Sequence, residues 1–296
     1  MKERILTIIV TYNRLELLKE CVAAVIAQTV STDVLIVNNC STDNTEDYLN
    51  NITYKNVKSI KTKKNIGGAG GFSVGVKYAI KKGYKYALLM DDDTIAENNV
   101  IESYCNKAEY LNDEFSFMSC ITKWTDGSLC NMNVQTLDNE WKNRYLTLEH
   151  GLIPAKTATF VSYFVNLNVA QKVGLPIKDF FIYADDWEYS LRLGKEKQGF
   201  LNVDCFVTHK MGSNLNADIS TCPEERIDRC FYDLRNHLYV LRKYGTKREK
   251  IGYFFDIQYL LKQTIKGTGN KKLYRIITLL KGTAAGLTFN PKIEIV

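Results

Sequence analysis

The sequence lacks the features that mark several common classes of protein. Its 8 cysteines form no Cys-x-x-Cys pair, which argues against a zinc site and in favour of buried thiols in a reducing compartment. No apolar run is long enough for a transmembrane helix, and the first ten residues lack an apolar segment of the length that a secretory signal needs. From these absences we expect a cytosolic protein.

Two familiar nucleotide-binding fingerprints are also missing. Residues 65–72 contain four glycines, but neither a Gly-Lys-Ser/Thr sequence nor the spacing of the dinucleotide fingerprint occurs there. The chain has no recognised nucleic-acid module, and its acidic clusters would repel phosphates unless a metal were bound. We therefore predict no nucleic-acid partner.

The composition is that of an ordinary globular protein, with 45% hydrophobic and 24% charged residues. Its 296 residues suffice for one large domain or for a domain with an appendage. The net charge of +6 is uneven, because only Glu249 and Asp256 oppose the many basic residues between 242 and 281. This basic region is either a solvated surface or a surface that suits an anionic bilayer.

Apolar, β-branched runs alternate with amphipathic stretches in the first part of the chain. Residues 5–10, 34–37 and, more weakly, 57–60 are typical of buried strands. Asn13, followed by Glu16, predicts a capping box for the first helix. The alternation predicts an α/β fold with a mostly parallel, doubly wound, Rossmann-like sheet that binds ligands at the carboxyl ends of its strands.

Further along, the pattern changes from alternating elements to helices alone. We predict an α/β ligand-binding domain at residues 1–222 and a basic helical appendage at 223–296. The remaining predicted elements are a helix at 96–111, a strand at 115–121, an irregular hairpin or loop over the site at 124–154, strands at 158–167 and 199–207, a short helix from Asn168, and helices at 223–244, 248–265 and 271–280.

Three consecutive carboxylates, Asp91-Asp92-Asp93, follow an apolar run at residues 84–90. Adjacent negative charges repel one another, and a shared cation removes that cost. Alternate residues of an extended backbone point to the same side, so Asp91 and Asp93 could bind one Mg²⁺ or Mn²⁺ ion. The alternative is a solvated acidic turn after a strand.

A second acidic cluster, Asp185-Asp186, lies among aromatic residues at a predicted helix start. Desolvation there would raise the pKa of one carboxyl group, as a general base requires, while helix capping by either aspartate is the alternative. His209 follows the last predicted strand. Such a histidine is usually structural, but the first acidic cluster would give it a metal to bind.

These motifs occur in a fixed order, and together they resemble family 2 inverting glycosyltransferases of the GT-A fold. The similarity extends over about residues 4–245 and is strongest to the galactofuranosyl- and rhamnosyltransferases, because of the glycine loop and the aspartate triplet. The motifs are Thr11-Tyr12-Asn13-Arg14, residues 65–72, Asp91-Asp92-Asp93, and Asp185-Asp186-Trp187-Glu188 followed by His209.

The resemblance assigns a role to each matching residue. It implies a Mn²⁺ or Mg²⁺ ion held by Asp91, Asp93 and His209, and a catalytic base at Asp186 with Asp185 beside it. Trp187 and Glu188 would contact the acceptor. Many family members have Asp where this chain has Asn38, which weakens the case for uridine. The implied donor-binding residues are Thr11, Tyr12, Asn13, Arg14, Asn38, Asp43, Asn65, Gly67, Gly68, Gly70, Gly71, Phe72, Asp91 and Asp92.

The resemblance also implies a reaction and its partners. We expect metal-dependent, inverting transfer of galactofuranose from UDP-galactofuranose to a glycan or polyprenyl-linked acceptor at the inner face of the cell membrane. The alternatives are a dTDP-rhamnose-dependent transferase and a non-catalytic carbohydrate-binding homologue. A nucleotidyltransferase is disfavoured, because Thr11-Tyr12-Asn13-Arg14 contains no glycine. Membrane association is expected, and a homo-oligomer is compatible with the sequence.

Overall fold

A computed structural model describes residues 4–214 and 218–296. Its strands are β1 (Ile5–Thr11), β2 (Asp33–Asn38), β3 (Val57–Lys61), β4 (Tyr86–Asp91), β5 (Thr94–Ala96), β6 (Phe117–Lys123), β7 (Thr136–Leu137), β8 (Leu152–Thr157), β9 (Tyr163–Asn166) and β10 (Gly199–His209). Its α-helices are α1 (Leu15–Ile26), α2 (Thr45–Asn50), α3 (Gly67–Lys81), α4 (Val100–Tyr110), α5 (Tyr145–Leu148), α6 (Leu167–Val173), α7 (Asp185–Leu193), α8 (Ile227–Tyr244), α9 (Lys247–Lys266) and α10 (Lys272–Thr288).

All the strands belong to one sheet of order β3-β2-β1-β4-β9-β6-β10-β8-β7, with β5 paired to β10. β1, β2, β3 and β4 are parallel to one another. β9 is antiparallel to both of its neighbours, and β6 and β10 are again parallel. The predicted α/β fold with a mostly parallel sheet is confirmed.

Alternation along β1 explains why helices cover both faces of the sheet. Ile5 and Ile9 pack into a core with α1 and α4, whereas Leu6 and Ile8 pack into a second core with α3 and α7. A strand that is apolar on both sides needs such a layer on each face. The carboxyl ends of the parallel strands are left uncovered, and the functional groups collect there.

Three local predictions are wrong. Asn13 does not cap α1, because its Oδ1 accepts the Thr42 N–H at 2.7 Å and no side chain caps that helix. The helix expected from residue 96 begins at Val100, because Thr94–Ala96 pairs with β10 instead. The strand expected at 158–167 is confined to its last part, β9. In the first two cases a contact distant in sequence overrides the local pattern.

The C-terminal helices pack closely on the rest of the molecule. α10 crosses α8 at Gly282, where an added Cβ would lie 2.9 Å from Leu234 Cβ. The chain end returns to the sheet domain, where the Leu175 N–H donates to the Glu294 carbonyl at 2.8 Å and Glu294 pairs with Lys77. A boundary between residues 222 and 223 stays a prediction.

Candidate active site

A cleft of about 610 Å³ opens at the carboxyl end of β4. Asp91 ends β4, Asp93 lies in the turn that follows, and His209 ends β10, and all three line the cleft. The start of α7 contributes Asp185 and Asp186. The cleft thus brings together both acidic clusters, which are more than 90 residues apart in the sequence. This is the position at which open α/β sheets bind ligands.

The first cluster is assembled by the pairing of β5 with β10. Their antiparallel register sets Thr94 opposite His209, and His209 Nε2 consequently lies 3.0 Å from Asp93 Oδ1. One ligand atom from each of Asp91, Asp93 and His209 lies within 4.8 Å of the others. Two carboxylates and an imidazole suit Mn²⁺ or Mg²⁺, so the residues fit a divalent ion.

Arg14 balances part of the negative charge of this cluster. Its Nη1 lies 2.5 Å from Asp93 Oδ2 and 3.2 Å from Asp92 Oδ1. Although burial acts in the opposite direction, hydrogen bonding to His209 and the charge of Arg14 lower the pKa of Asp93. Burial and the neighbouring Asp93 raise the pKa of Asp91 to about 7. A cation beside Asp91 would remove that unfavourable charge.

The other ring nitrogen of His209 is held by a residue that the sequence did not identify. His209 Nδ1 lies 2.8 Å from Asn133 Oδ1, and the Asn133 amide donates to Thr159 Oγ1 at 3.0 Å. His209 and Asn133 are both buried. Through this hydrogen bond an Nδ1–H tautomer of His209 would direct Nε2 toward Asp93 and any bound metal.

The second cluster begins α7 after a loop of unusual backbone conformation. Phe181, Tyr183 and Ala184 have φ values of 66°, 68° and 60°. Positive φ is unfavourable for residues with a side chain and persists only where surrounding contacts impose it. This loop directs Asp185 and Asp186, the first two residues of α7, into the cleft.

Residues from α8 and α3 impose the conformation of this loop. The Asn236 amide nitrogen lies within 3.0 Å of the carbonyl oxygens of Phe180, Ile182 and Tyr183, and Asn236 is fully buried. On the other side, Ala69 donates its N–H to the Phe181 carbonyl. A Cβ at Gly67, whose φ is +73°, would lie only 1.9 Å from that oxygen, so glycine is required there.

The two carboxyl groups of α7 have no cationic partner among the described residues, whereas Arg14 pairs with Asp92 and Asp93 of the first cluster. Burial raises the pKa of Asp186 to about 6. Burial and the neighbouring Asp186 raise the pKa of Asp185 well above its ordinary value, and the Asp91 charge adds to this effect. Asp186 Oδ1 accepts the Trp187 N–H at 2.7 Å. A carboxylate with a raised pKa is suited to accept a proton near neutral pH.

Only part of the predicted donor-binding set lines the cleft. Arg14, Gly68, Phe72 and Asp91 do so, and their contact with a donor stays a prediction. Gly67, Gly70 and Gly71 are buried, where they allow close packing instead of presenting a side to the cleft. Four more residues have a predicted donor contact but do not line this cleft: Tyr12, Asn13, Asp43 and Asn65.

Three of the predicted contact residues have structural roles in this structure. Thr11 Oγ1 donates to Asp92 Oδ2 at 2.7 Å, so both side chains are engaged within the protein. Asn38 is buried and its Oδ1 accepts the Ser41 N–H, which secures the turn after β2. Contact of Thr11, Asn38 and Asp92 with a donor stays a prediction.

The predicted contact of Glu188 with the acceptor is wrong, because the Glu188 side chain does not reach the cleft. Its side chain has no exposed surface and forms a salt bridge with Arg192 at 2.8 Å, while Tyr244 donates to it at 2.7 Å. An acceptor cannot contact a carboxylate enclosed in this way. Trp187 does line the cleft, and its ring meets the His237 ring edge to face at 4.8 Å.

Besides Asn133, sequence reasoning missed three residues of α8: Asp233, Asn236 and His237. Asp233 and His237 line the cleft, and burial raises the pKa of Asp233 to about 6. No hydrogen bond or ion pair of Asp233 is found among residues 4–214 and 218–296. Asn236 could have been recognised from the sequence, because it is a polar residue within the apolar repeat of an amphipathic helix. Asn133 lies in an irregular segment, where no sequence pattern indicates its role.

Comparison with known proteins agrees with this architecture. The family model of glycosyl transferase family 2 matches residues 7–165. The chain is 23% identical over 261 residues to galactofuranosyltransferase GlfT1 of Mycolicibacterium smegmatis, covering 83% of this chain and 85% of the relative. It is 24% identical over 293 residues to GlfT1 of Mycobacterium tuberculosis, covering 86% and 90%.

Two solved structures share the fold. The crystal structure of GalNAc-T7 with UDP, GalNAc and Mn²⁺ aligns with a TM-score of 0.66 at 13% identity, over 97% of this chain and 57% of that one. The crystal structure of S. aureus TarS aligns with a TM-score of 0.54 at 13% identity, over 97% and 44%. The chain thus spans about half the length of each of these proteins.

Proposed function

The chain belongs to glycosyl transferase family 2, and we propose that this glycosyltransferase moves galactofuranose from UDP-galactofuranose to a hydroxyl group of a glycan acceptor, with inversion at the anomeric carbon. The similarity to the two GlfT1 proteins supports the choice of sugar. In this proposal the acceptor is a glycan or a polyprenyl-linked glycan, and the product extends a cell-surface polysaccharide.

One observation carries the proposal: two acidic clusters of different character share one cleft. Asp91, Asp93 and His209 form a group of ligands with Arg14 beside it. Asp186 belongs to a different element and carries a raised pKa. Sugar transfer needs both functions, since the leaving diphosphate requires positive charge and the attacking hydroxyl requires a base.

Asp91, Asp93 and His209 would hold a divalent ion, with Mn²⁺ and Mg²⁺ as candidates. Such an ion supplies charge stabilisation for a departing diphosphate. Arg14 pairs with two of the triplet's carboxylates and lines the cleft, where its guanidinium adds positive charge. Gly68 and Phe72 lie in the first part of α3 and would lie beside the nucleotide-sugar.

Asp186 would act as the base for the acceptor hydroxyl. The hydroxyl oxygen forms a bond to the anomeric carbon as the bond from that carbon to the diphosphate oxygen breaks, and the hydroxyl proton passes to the Asp186 carboxylate. Because attack comes from the face opposite the leaving group, the configuration inverts. The neighbouring Asp185 is more buried, and burial and the Asp186 charge raise its pKa well above its ordinary value, so we assign the base to Asp186.

The acceptor would lie against α7 and α8. Trp187 presents an aromatic ring on which a sugar can stack, and Asp233 and His237 present polar atoms from the adjacent helix. These groups surround the side of the cleft that carries Asp186. Sugar hydroxyls are suited to such a mixed aromatic and carboxylate wall.

The proposal is tested by incubating the purified protein with a panel of nucleotide-sugars in Mn²⁺, Mg²⁺ or EDTA and measuring the nucleotide released. We expect release from UDP-galactofuranose that EDTA abolishes. Release from dTDP-rhamnose instead would replace the proposed sugar with rhamnose. If no donor gave either nucleotide release or metal-dependent thermal stabilisation, a catalytic role would be contradicted.

A further inference from the structure

We propose that α9 docks the protein on the surface of an anionic lipid bilayer. One side of α9 packs inward, with Tyr253 and Thr264 buried and Ile257 and Leu260 partly buried against α8 and α10. The opposite side, here called the α9 face, is left exposed. It consists of Ile251, Phe254, Phe255, Tyr259 and Ile265 together with Lys247, Arg248, Lys262 and Lys266.

Large apolar side chains are unusually exposed on this face. Phe255 is 64% exposed and Tyr259 is 60% exposed. At 100° per residue, all nine residues of the α9 face lie within an arc of about 140°. The exposed Leu273, Ile277 and Leu280 of α10 extend the apolar surface on the helix packed beside it.

The charges of the α9 face have one sign. Lys247, Arg248, Lys262 and Lys266 lie among the apolar residues, whereas the two acids of the helix lie outside the arc. Glu249 is engaged at the helix start, in the capping box with Thr246, and Asp256 lies toward its flank. A basic helix with exposed aromatic residues matches the interface of a membrane that contains anionic lipids.

This pattern favours a bilayer over a second copy of the chain. A two-fold dimer through the α9 face would bring its basic residues together with no acid opposite them inside the patch. None of the described helices is long and apolar enough to cross a membrane. The helix would therefore lie along the lipid headgroups, with its aromatic side chains inserted below them.

The α9 face is one layer of side chains away from the cleft. The Trp187 ring, which lines the cleft, contacts the His237 ring at 4.8 Å, and His237 contacts the Tyr253 ring at 5.6 Å. Tyr253 in turn meets Phe254 at 5.8 Å. Docking through the α9 face would hold the cleft close to the lipid surface, although the docking itself does not depend on the proposed reaction.

The test is co-sedimentation of the full chain with phosphatidylcholine vesicles that contain or lack phosphatidylglycerol. We expect binding only to the anionic vesicles, weakening as salt is raised. Lys262→Glu with Lys266→Glu should weaken this binding about tenfold or more. Phe254→Glu with Phe255→Glu should weaken vesicle binding at least as much. Because both pairs of residues are exposed, the far-ultraviolet circular dichroism of each variant should remain unchanged.

The matched control is Lys55→Glu with Lys58→Glu, an exposed pair near β3 that changes the net charge by the same amount. It should bind vesicles as the unaltered protein does. Equal weakening by the control pair would show that only bulk charge matters and would overturn the proposal. Absence of binding to anionic vesicles, or a dimer in solution that the Phe254 and Phe255 substitutions dissociate, would overturn it as well.

Discussion

The two acidic clusters of the cleft are built in opposite ways. The Asp91-Asp92-Asp93 triplet ends a buried strand and is surrounded by partners, with Arg14, His209 and Thr11 all bonded to it. Asp185 and Asp186 begin a helix after a loop of positive φ and have no cationic partner among the described residues. In the first cluster Arg14 pairs with two of the three carboxylates and leaves Asp91 without an ion pair, whereas the second cluster has no cationic partner among the described residues.

This difference separates two kinds of chemistry. Despite burial, His209 and Arg14 hold the pKa of Asp93 low, and a cation shared with Asp91 would favour the ionised form of that carboxyl group, whose pKa is raised to about 7. Asp186, whose pKa burial raises and which belongs to no such group of ligands among the described residues, is suited to take up a proton. Asn236 and the start of α3 hydrogen-bond to the loop before α7 and so hold it in its unfavourable backbone conformation.

The largest expected effect comes from Asp186→Asn. It should reduce transfer by about 10²–10⁴-fold, because the amide cannot accept the hydroxyl proton, while binding of the nucleotide with Mn²⁺ stays unchanged. Steady-state rates and calorimetric titration of the same preparation measure the two quantities. Unchanged turnover would show that another group is the base.

On the side of the first cluster, Asn133→Ala should weaken metal affinity about 10–100-fold, since His209 loses the partner that orients its ring. Mn²⁺ titration followed by thermal shift reports this affinity. Asn131→Ala is the control, because Asn131 belongs to the same turn but its side-chain amide donates to the Asn214 carbonyl. Equal losses in both variants would mean that the turn as a whole, and not the His209 contact, matters.

On the side of the second cluster, Asn236→Ala should lower stability by about 1–3 kcal/mol, because buried carbonyl groups lose their donor. It should also lower kcat while metal affinity is kept. Asn166→Ala is the control, since its buried amide likewise donates to two carbonyl oxygens, those of Asp113 and Phe115. If both variants lose stability but neither loses kcat, the loop does not position the base.

The smallest effect concerns pH. The pKa of Asp186 is raised to about 6 in the folded protein. The stability that its protonated form contributes is therefore fully present below pH 4 and is lost as the pH rises through 6. Asp186→Asn should therefore raise Tm at pH 7 more than at pH 5. The kcat of the unaltered protein should rise over the same interval. A Tm difference that is independent of pH would argue against the raised pKa.

Much of this arrangement is visible in the sequence. Strands that are apolar on both sides predicted the sheet, and carboxylates at a strand end predicted the first cluster and its edge of the sheet. His209 was assigned by resemblance, and the physical reason for its position, the pairing of β5 with β10, appears only in the structure. Local patterns do not reveal such long-range registers.

Other residues show where sequence reasoning ends. Glu188 belongs to the same motif as Asp186, yet two residues further along α7 its side chain pairs with Arg192 in the interior. Asn38 ends a strand as Asp91 does, but its side chain accepts the Ser41 N–H. A motif gives the type of residue, whereas packing decides which member of the motif faces the cleft.

The most direct test of the division between the clusters is calorimetric binding of UDP, with and without Mn²⁺, to Asp93→Asn and Asp186→Asn. We predict that Asp186→Asn binds UDP with the metal dependence of the unaltered protein, and that Asp93→Asn loses that dependence. If Asp93→Asn retained it, or if Asp186→Asn lost it, the assignment of metal binding to the first cluster and proton transfer to the second would be contradicted.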